Sequence, residues 1–296
     1  MKPPAFEYAA PATLEEALAL FEANSDSAKL LAGGQSLVPV LNLRLASPSL
    51  LIDLNRIPAL SGISRAEDGS LVVGAMTRHR ALELSKPVQE THPLIHAATA
   101  YIAHVQIRNR GTIGGSLCHA DPAAEWPAIC VACEAEMTLA SAAGTRTVAA
   151  EDFSLGVYTT ALAENEILAS IRFPAWPAGR RWGFQELSRR HGDFAIVGVA
   201  CLLDMDGQER CTGARIVVFG AGDRPAVVAE AGLSLAGKTI GQGAISEAAR
   251  IAAAHIETRS DHHASAEYRS ELVEVLVRRA LSQAAGMMAK DTKGTK

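Results

Sequence analysis

The sequence predicts an α+β chain in two domains, and three features predict it. Strand and helix signals alternate in a βαβ-like order only over residues 1–57; beyond them hairpin signals dominate; and from Val227 onward the pattern is helical. The run Pro174-Ala175-Trp176-Pro177-Ala178-Gly179 breaks any regular element and sets the domain boundary near residue 177. The expected units are 1–177, in lobes 1–57 and 58–177, then 178–287, with 288–296 a frayed tail. At 296 residues and 48% hydrophobic content, the chain can bury two sizeable cores.

Each element has its own signal. Thr13-Leu14-Glu15-Glu16 is a capping box, so a helix starts at Thr13. Lys29–Ala32 and Leu50–Leu54 are strands, with a short helix over Leu37–Leu45 between them. Apolar runs on either side of Glu67-Asp68-Gly69 form a hairpin. Helices follow over Arg80–Ser85 and Pro93–Ala103, then a glycine loop, then a helix from Pro122 to Glu134. Met137–Leu139, Arg146–Val148 and Ile167–Ile171 are later strands of the same unit. Past the boundary lie strands at Trp182–Ser188, Ala195–Leu203 and Ala214–Phe219, the last two joined by a turn at Met205-Asp206-Gly207-Gln208. Helices at Val227–Leu235, Ile245–Ile256 and Ala266–Ala285 complete the chain.

Composition narrows the function. A net charge of −4, with arginines in scattered pairs, gives no footprint for nucleic acid. No apolar run reaches the ~18 residues of a membrane helix, and the start has no signal-peptide pattern. Five cysteines without a repeated spacing read as reduced thiols in a cytoplasmic protein. Cys130-Val131-Ala132-Cys133 lacks a second pair, so it reads as two buried thiols rather than a zinc site. His262-His263 lies in a polar break whose Ser260 or Asp261 caps the last helix, and no metal site is expected.

Two glycine segments carry the chemistry. Ala32-Gly33-Gly34-Gln35-Ser36-Leu37 follows a strand, and Gly111-Thr112-Ile113-Gly114-Gly115-Ser116 shares its Gly-Gly-polar core. Without a Cβ, these glycines allow positive φ and close approach to a ligand. Successive N–H groups in such turns suit phosphate oxygens. A diphosphate held from two sides fits the pair. The backbone N–H groups of residues 33–37 and 113–116 are the expected contacts, assisted by the hydroxyls of Ser36, Thr112 and Ser116. A Rossmann site is a poor match: Asp53 lies about 20 residues on, but the third glycine is missing. Asp121 and Glu125 sit near the helix start that Pro122 marks, where carboxylates complement the helix dipole.

The runs Leu31-Ala32-Gly33-Gly34-Gln35-Ser36-Leu37-Val38-Pro39 and Thr112-Ile113-Gly114-Gly115-Ser116-Leu117-Cys118-His119-Ala120-Asp121-Pro122-Ala123-Ala124-Glu125 resemble the FAD-binding medium subunits of the molybdenum hydroxylases. That group includes the carbon monoxide dehydrogenase medium chain and the xanthine dehydrogenase flavin domain. Phe184–Ala195 and the stretch from Ser260 to Arg269 extend the resemblance over nearly the whole chain.

The resemblance implies a two-lobed, PCMH-type FAD-binding domain, then three antiparallel strands and a helical bundle. It implies FAD in this chain, and as partners a large subunit with molybdopterin cytosine dinucleotide and a small one with two [2Fe–2S] clusters, as a dimer of heterotrimers. The medium subunit passes electrons from the clusters to an external acceptor. Five cysteines cannot hold two four-thiolate clusters, which agrees with that division. The resemblance also carries His119, Asp121, Glu125, Leu168, Phe184 and Gln185 to the cofactor. Some relatives have Lys where this chain has Gln185, and a neutral amide raises a flavin's potential less than an ammonium. No catalytic acid, base or nucleophile stands out. Two other readings stay open at this stage: a freestanding FAD oxidoreductase, and a non-catalytic diphosphate-binding module.

Overall fold

The computed structural model describes residues 2–287. Its N-terminal lobe is a small parallel sheet of β1 (Glu7–Ala9), β2 (Ala28–Leu31) and β3 (Leu50–Asp53), in the order β1-β3-β2. Leu50, Leu51 and Ile52 are all buried, as a central parallel strand covered on both faces requires. Helix α1 (Leu14–Ala23) crosses between β1 and β2 and buries Ala17 and Leu18. Thr13 caps it, its hydroxyl accepting the Glu16 N–H at 3.2 Å, while the Glu16 carboxylate takes the Ala12 N–H at 2.9 Å. A short helix, α2 (Leu37–Asn42), follows β2.

The second lobe is an antiparallel sheet in the order β4-β5-β10-β6-β7. Its hairpins are β4 (Ile63–Arg65) with β5 (Leu71–Gly74), and β6 (Glu136–Ser141) with β7 (Gly144–Ala149). Six short helices lie between them: α3 (His79–Leu84), α4 (Lys86–Thr91), α5 (Pro93–Thr99), α6 (Val105–Arg108), α7 (Ile113–His119) and α8 (Glu125–Ala132). Helix α9 (Ala150–Phe153) leads to a two-stranded ribbon, β8 (Ser154–Gly156) and β9 (Thr159–Thr160). Strand β10 (Ile167–Phe173) then enters the middle of the sheet, with a bulge between Leu168 and Ser170. The bulged Ala169 gives its carbonyl to the Ala75 N–H at 2.9 Å, which ties the sheet to the loop after β5.

The C-terminal sheet runs β11 (Arg180–Ser188), β12 (Ala195–Met205), β13 (Cys211–Phe219) and β14 (Ala226–Val227). It has four strands rather than three, because Val227 joins the sheet as a short edge strand instead of starting a helix. Nine consecutive residues of β12, Ala195–Leu203, are buried. Val197, Val199, Cys201 and Leu203 face α11 (Gln242–His255) and α12 (Ala266–Ala284), with α10 (Ala229–Leu233) on the same side. Ala200 and Leu202 face the other way, into one core with Phe184, Phe219 and Trp126 and Ile129 of α8. All eight residues of α8 are buried.

Three local expectations change. The helix expected from Pro122 starts at Glu125, because Asp121 Oδ1 accepts the Ala123 N–H at 2.9 Å and turns the chain first. Helix α12 is capped by Ser265, which accepts the Tyr268 N–H, while Ser260 takes the Ala266 N–H and Asp261 the N–H groups of His263 and Ala264. The tail expected at 288–296 lies outside the described residues.

Candidate FAD-binding cleft

A cleft of about 1070 Å³ opens along the two glycine segments. It lies just above the roughly 300–1,000 Å³ range of small-molecule sites, which leaves room for a dinucleotide. Ala32, Gly33, Gly34, Gln35, Ser36, Leu37, Thr112, Gly114, Gly115, Ser116, His119, Asp121, Glu125 and Leu168 line it. Ile113, Phe184 and Gln185 do not. Ile113 packs into the core. Phe184 is 2% exposed, with Tyr101 and Phe219 at centroid distances of 5.0 and 6.0 Å. Gln185, one residue along the strand, points to the opposite face and donates to Gln283 Oε1 at 2.8 Å.

The first segment is an open turn. Gly34 has φ +74°, a conformation that favours glycine. Val38 closes the turn by donating to the Gly34 carbonyl at 3.0 Å. Among the described residues, the N–H groups of residues 34–37 have no acceptor outside α2. Ser36 starts that helix without using its side chain as a cap. The turn therefore presents successive unpaired donors on the wall of the cleft.

The second segment differs from the expected loop. It is the first turn of α7, and none of its glycines has a positive φ. Its N–H groups are already used: Ile113 donates to the Thr77 carbonyl at 3.1 Å, Gly114 to Ala75 at 2.8 Å, Gly115 to the Thr112 hydroxyl at 3.1 Å and Ser116 to the Thr112 carbonyl at 3.1 Å. The expected N–H contacts from 113–116 are thus taken by the fold. Glycine is needed at 114 for packing, since a Cβ there would stand 2.6 Å from Ala75 Cβ.

The two segments touch. A Cβ on Gly33 would lie 2.3 Å from the Arg110 carbonyl oxygen and 2.7 Å from Gly111 Cα. Asn55 Nδ2 donates to the Ala32 carbonyl at 2.8 Å, and the Arg78 guanidinium bridges Asn55 Oδ1 to the Arg110 carbonyl. Asp53, the partial Rossmann mimic, accepts from Tyr8 and Asn55. Asn55 and Arg78 carry no motif, and only the fold brings them together.

Beyond α7 the wall is polar. Tyr158, at φ +53°, donates its hydroxyl to Asp121 Oδ2 at 3.2 Å and its ring lies 4.9 Å from that of His119. Burial lowers the His119 pKa, against the pull of Asp121. Glu125 is 4% exposed. Burial raises its pKa above the usual carboxylate range, and Asp121 adds to the effect. Glu186, which does not itself line the cleft, is raised by burial and by Glu125, and among the described residues its Oε2 has no hydrogen-bond partner. Desolvation outweighs the favourable helix start, so Glu125 holds its proton to higher pH than an exposed N-terminal acid would.

A family model described as the FAD binding domain in molybdopterin dehydrogenase matches residues 4–176. The chain belongs to that family. A second model, the CO dehydrogenase flavoprotein C-terminal domain, matches residues 182–284. The chain is 41% identical to the 6-hydroxypseudooxynicotine dehydrogenase complex subunit alpha of Paenarthrobacter nicotinovorans, over 96% of each chain. It is 42% identical to the carbon monoxide dehydrogenase medium chain of Hydrogenophaga pseudoflava, over 96% of this chain and 98% of that one. It superimposes on a chain of quinoline 2-oxidoreductase from Pseudomonas putida 86 with a TM-score of 0.92 and 40% identity, covering 98% of this chain and 100% of the other.

FAD-binding subunits of molybdopterin dehydrogenases hold a diphosphate between a flavin and an adenosine. The donors here fit that ligand: four unpaired N–H groups in one turn, beside a hydroxyl at Ser36, on a cleft of dinucleotide size. The contribution of Asn55, Arg78 and Tyr158 is not visible in the sequence, because each has a partner 23 or more residues away.

Proposed function

We propose that this chain takes electrons from two [2Fe–2S] clusters of a small partner subunit and delivers them to an external acceptor. A large partner subunit with molybdopterin cytosine dinucleotide oxidises the substrate, and the three chains form a dimer of heterotrimers. The observation that carries the reading is the turn of unpaired N–H groups at 34–37 on a dinucleotide-sized cleft. The relatives support the division of labour: names as different as carbon monoxide, quinoline and 6-hydroxypseudooxynicotine accompany 40–42% identity in this subunit. Substrate choice then lies in another chain.

FAD, when bound, accepts electrons singly and releases them in pairs. The chain's own residues do the holding. Residues 34–37 bind the diphosphate through N–H groups, and Ser36 and Ser116 add hydroxyls. Leu168 walls the cleft, and Asp121, Tyr158 and His119 form its polar side. We assign 1–177 to cofactor binding, in lobes 1–57 and 58–177, and 178–287 to the sheet and helices behind it, which agrees with the two matched segments. A cytoplasmic location is supported by five unpaired cysteines. Among the described residues no helix is long and apolar enough to cross a membrane.

The test is anaerobic stopped-flow on the FAD-loaded chain. Dithionite reduces it and an artificial acceptor reoxidises it. Carbon monoxide, heterocycles and aldehydes leave the flavin band unchanged until both partner subunits are added. Rapid bleaching by such a substrate with this chain alone would show a freestanding oxidoreductase.

A further inference from the structure

His79 opens α3 and is 4% exposed. Trp126, fully buried in α8, donates its indole N–H to His79 Nδ1 at 2.9 Å, with the ring centroids 6.0 Å apart and the ring planes 26° from parallel. An indole nitrogen can only donate. Nδ1 is therefore the acceptor and carries no hydrogen. Burial lowers the pKa of this imidazole to about 3, and the cations Arg108 and Arg78 add to the effect. A neutral ring with a bare Nδ1 carries its hydrogen on Nε2. The tautomer is fixed by a tryptophan 47 positions away.

Nε2 sits where the two glycine segments meet. The His79 N–H donates to the Gly111 carbonyl at 3.0 Å, and a Cβ on Gly111 would stand 2.8 Å from Nε2. Gly111 in turn backs onto Gly33. His79 forms part of the cleft wall there. Among the described residues Nε2 has no hydrogen-bond partner, yet it is not one of the atoms sealed from solvent. A nearly buried donor held in one tautomer and left open on a cleft is arranged for an acceptor in that cleft.

We propose that His79 is a cofactor-binding residue, donating its Nε2–H to a diphosphate oxygen of FAD. This rests on the placement of the diphosphate at residues 34–37. Trp126 is the positioning residue behind it, since its N–H dictates which imidazole nitrogen faces the ligand. A neutral donor leaves the net charge of the site unchanged while still completing the diphosphate's hydrogen bonds.

The decisive measurement is NMR of the full chain, labelled at histidine with ¹⁵N and loaded with FAD. His79 is expected to show a bare Nδ1 and a slowly exchanging Nε2–H with a through-hydrogen-bond coupling to one FAD phosphorus. A resolved Nε2–H without such a coupling overturns the proposal, as does a hydrogen found on Nδ1. Affinity gives a second reading. His79→Phe keeps a ring and loses the donor, so FAD should bind about 10- to 100-fold more weakly. His79→Gln keeps an N–H near the Nε2 position and should restore binding to within about threefold. Equal losses in the two variants would mean a packing role only. If the Phe variant does not fold, the NMR result and the Gln variant still decide. Gly34→Val separates this from the placement of the diphosphate. Undiminished FAD binding in Gly34→Val removes that placement, whereas lost binding there beside an uncoupled Nε2–H removes only His79.

Discussion

The two Gly-Gly-polar segments look alike in sequence and differ in physics. At Gly34 the glycine serves the backbone: φ is +74°, and the N–H groups that follow are unpaired. At Gly114 the glycine serves packing: the backbone is helical, the N–H bonds Ala75, and no room exists for a Cβ. One segment presents donors to a ligand. The other uses its donors to hold α7 against the sheet and so sets the floor on which the first segment rests. A shared dipeptide is therefore evidence for a tight spot, and only the hydrogen-bond partners say whether the spot binds anything.

Substitutions can break this contrast. The largest effect is expected from Gly114→Val, which must displace Ala75 and should cost about 3 kcal/mol or more, seen as a lost soluble fraction or a large fall in Tm. A soluble Gly114→Val protein that merely lacks FAD would make the second segment a binding loop after all. Gly34→Val comes next. Its φ costs about 1–2 kcal/mol, so the chain should fold but purify without the flavin band. Stoichiometric FAD in that variant would contradict the role given to the first turn. The shared Gly-Gly-polar core by itself would imply the same colourless outcome for Gly115→Val. The structure instead puts a Cβ there 2.8 Å from Thr112 Oγ1, so that variant disturbs the cap as well.

Thr112→Val sharpens the comparison. It removes the hydroxyl that accepts the Gly115 N–H, at a cost of about 1 kcal/mol in stability, and should change FAD affinity by less than about threefold. A binding loss far above the stability loss would return Thr112 to the ligand. The smallest effect concerns pH. Glu125 and Glu186 have pKa values raised by folding, so the folded chain holds more protons than the unfolded one above the ordinary carboxylate pKa. Their stabilisation is greatest below that pKa and falls as pH rises through the raised values. Glu186→Gln should flatten that decline and lift Tm at pH 8 by roughly 2–4 °C. A variant with the wild-type slope would mean that Glu186 does not keep its proton.

Much of the fold was legible because local signals and tertiary packing agree. The capping box at Thr13, the hairpin at Asp68-Gly69, the turn at Asp206 and the apolar run of β12 each appear where their residue types require. The glycine segments were legible as a tight spot for the same reason, but the helical state of the second was not. What was lost depends on distance. The conformation of Gly114 is decided by Ala75 and Thr77, the tautomer of His79 by Trp126, and the register of the two segments by Asn55 and Arg78. Strand alternation explains Gln185. The sequence places it beside Phe184, and a period of two sends the neighbours to opposite faces.

The burial of α8 on all sides has a consequence for how the protein is made. One wall of its surroundings is Phe184, Ala200, Leu202, Val217 and Phe219, which emerge from the ribosome after the whole segment matched as the FAD-binding domain. About forty residues beyond position 176 must follow before that core can close, a few seconds at roughly 5–20 residues per second. Through that interval Trp126 lacks its final surroundings, and with it the hydrogen bond that orients His79. Flavin loading is therefore expected late in biosynthesis, and a chain cut after residue 176 should be insoluble and colourless however much FAD is supplied.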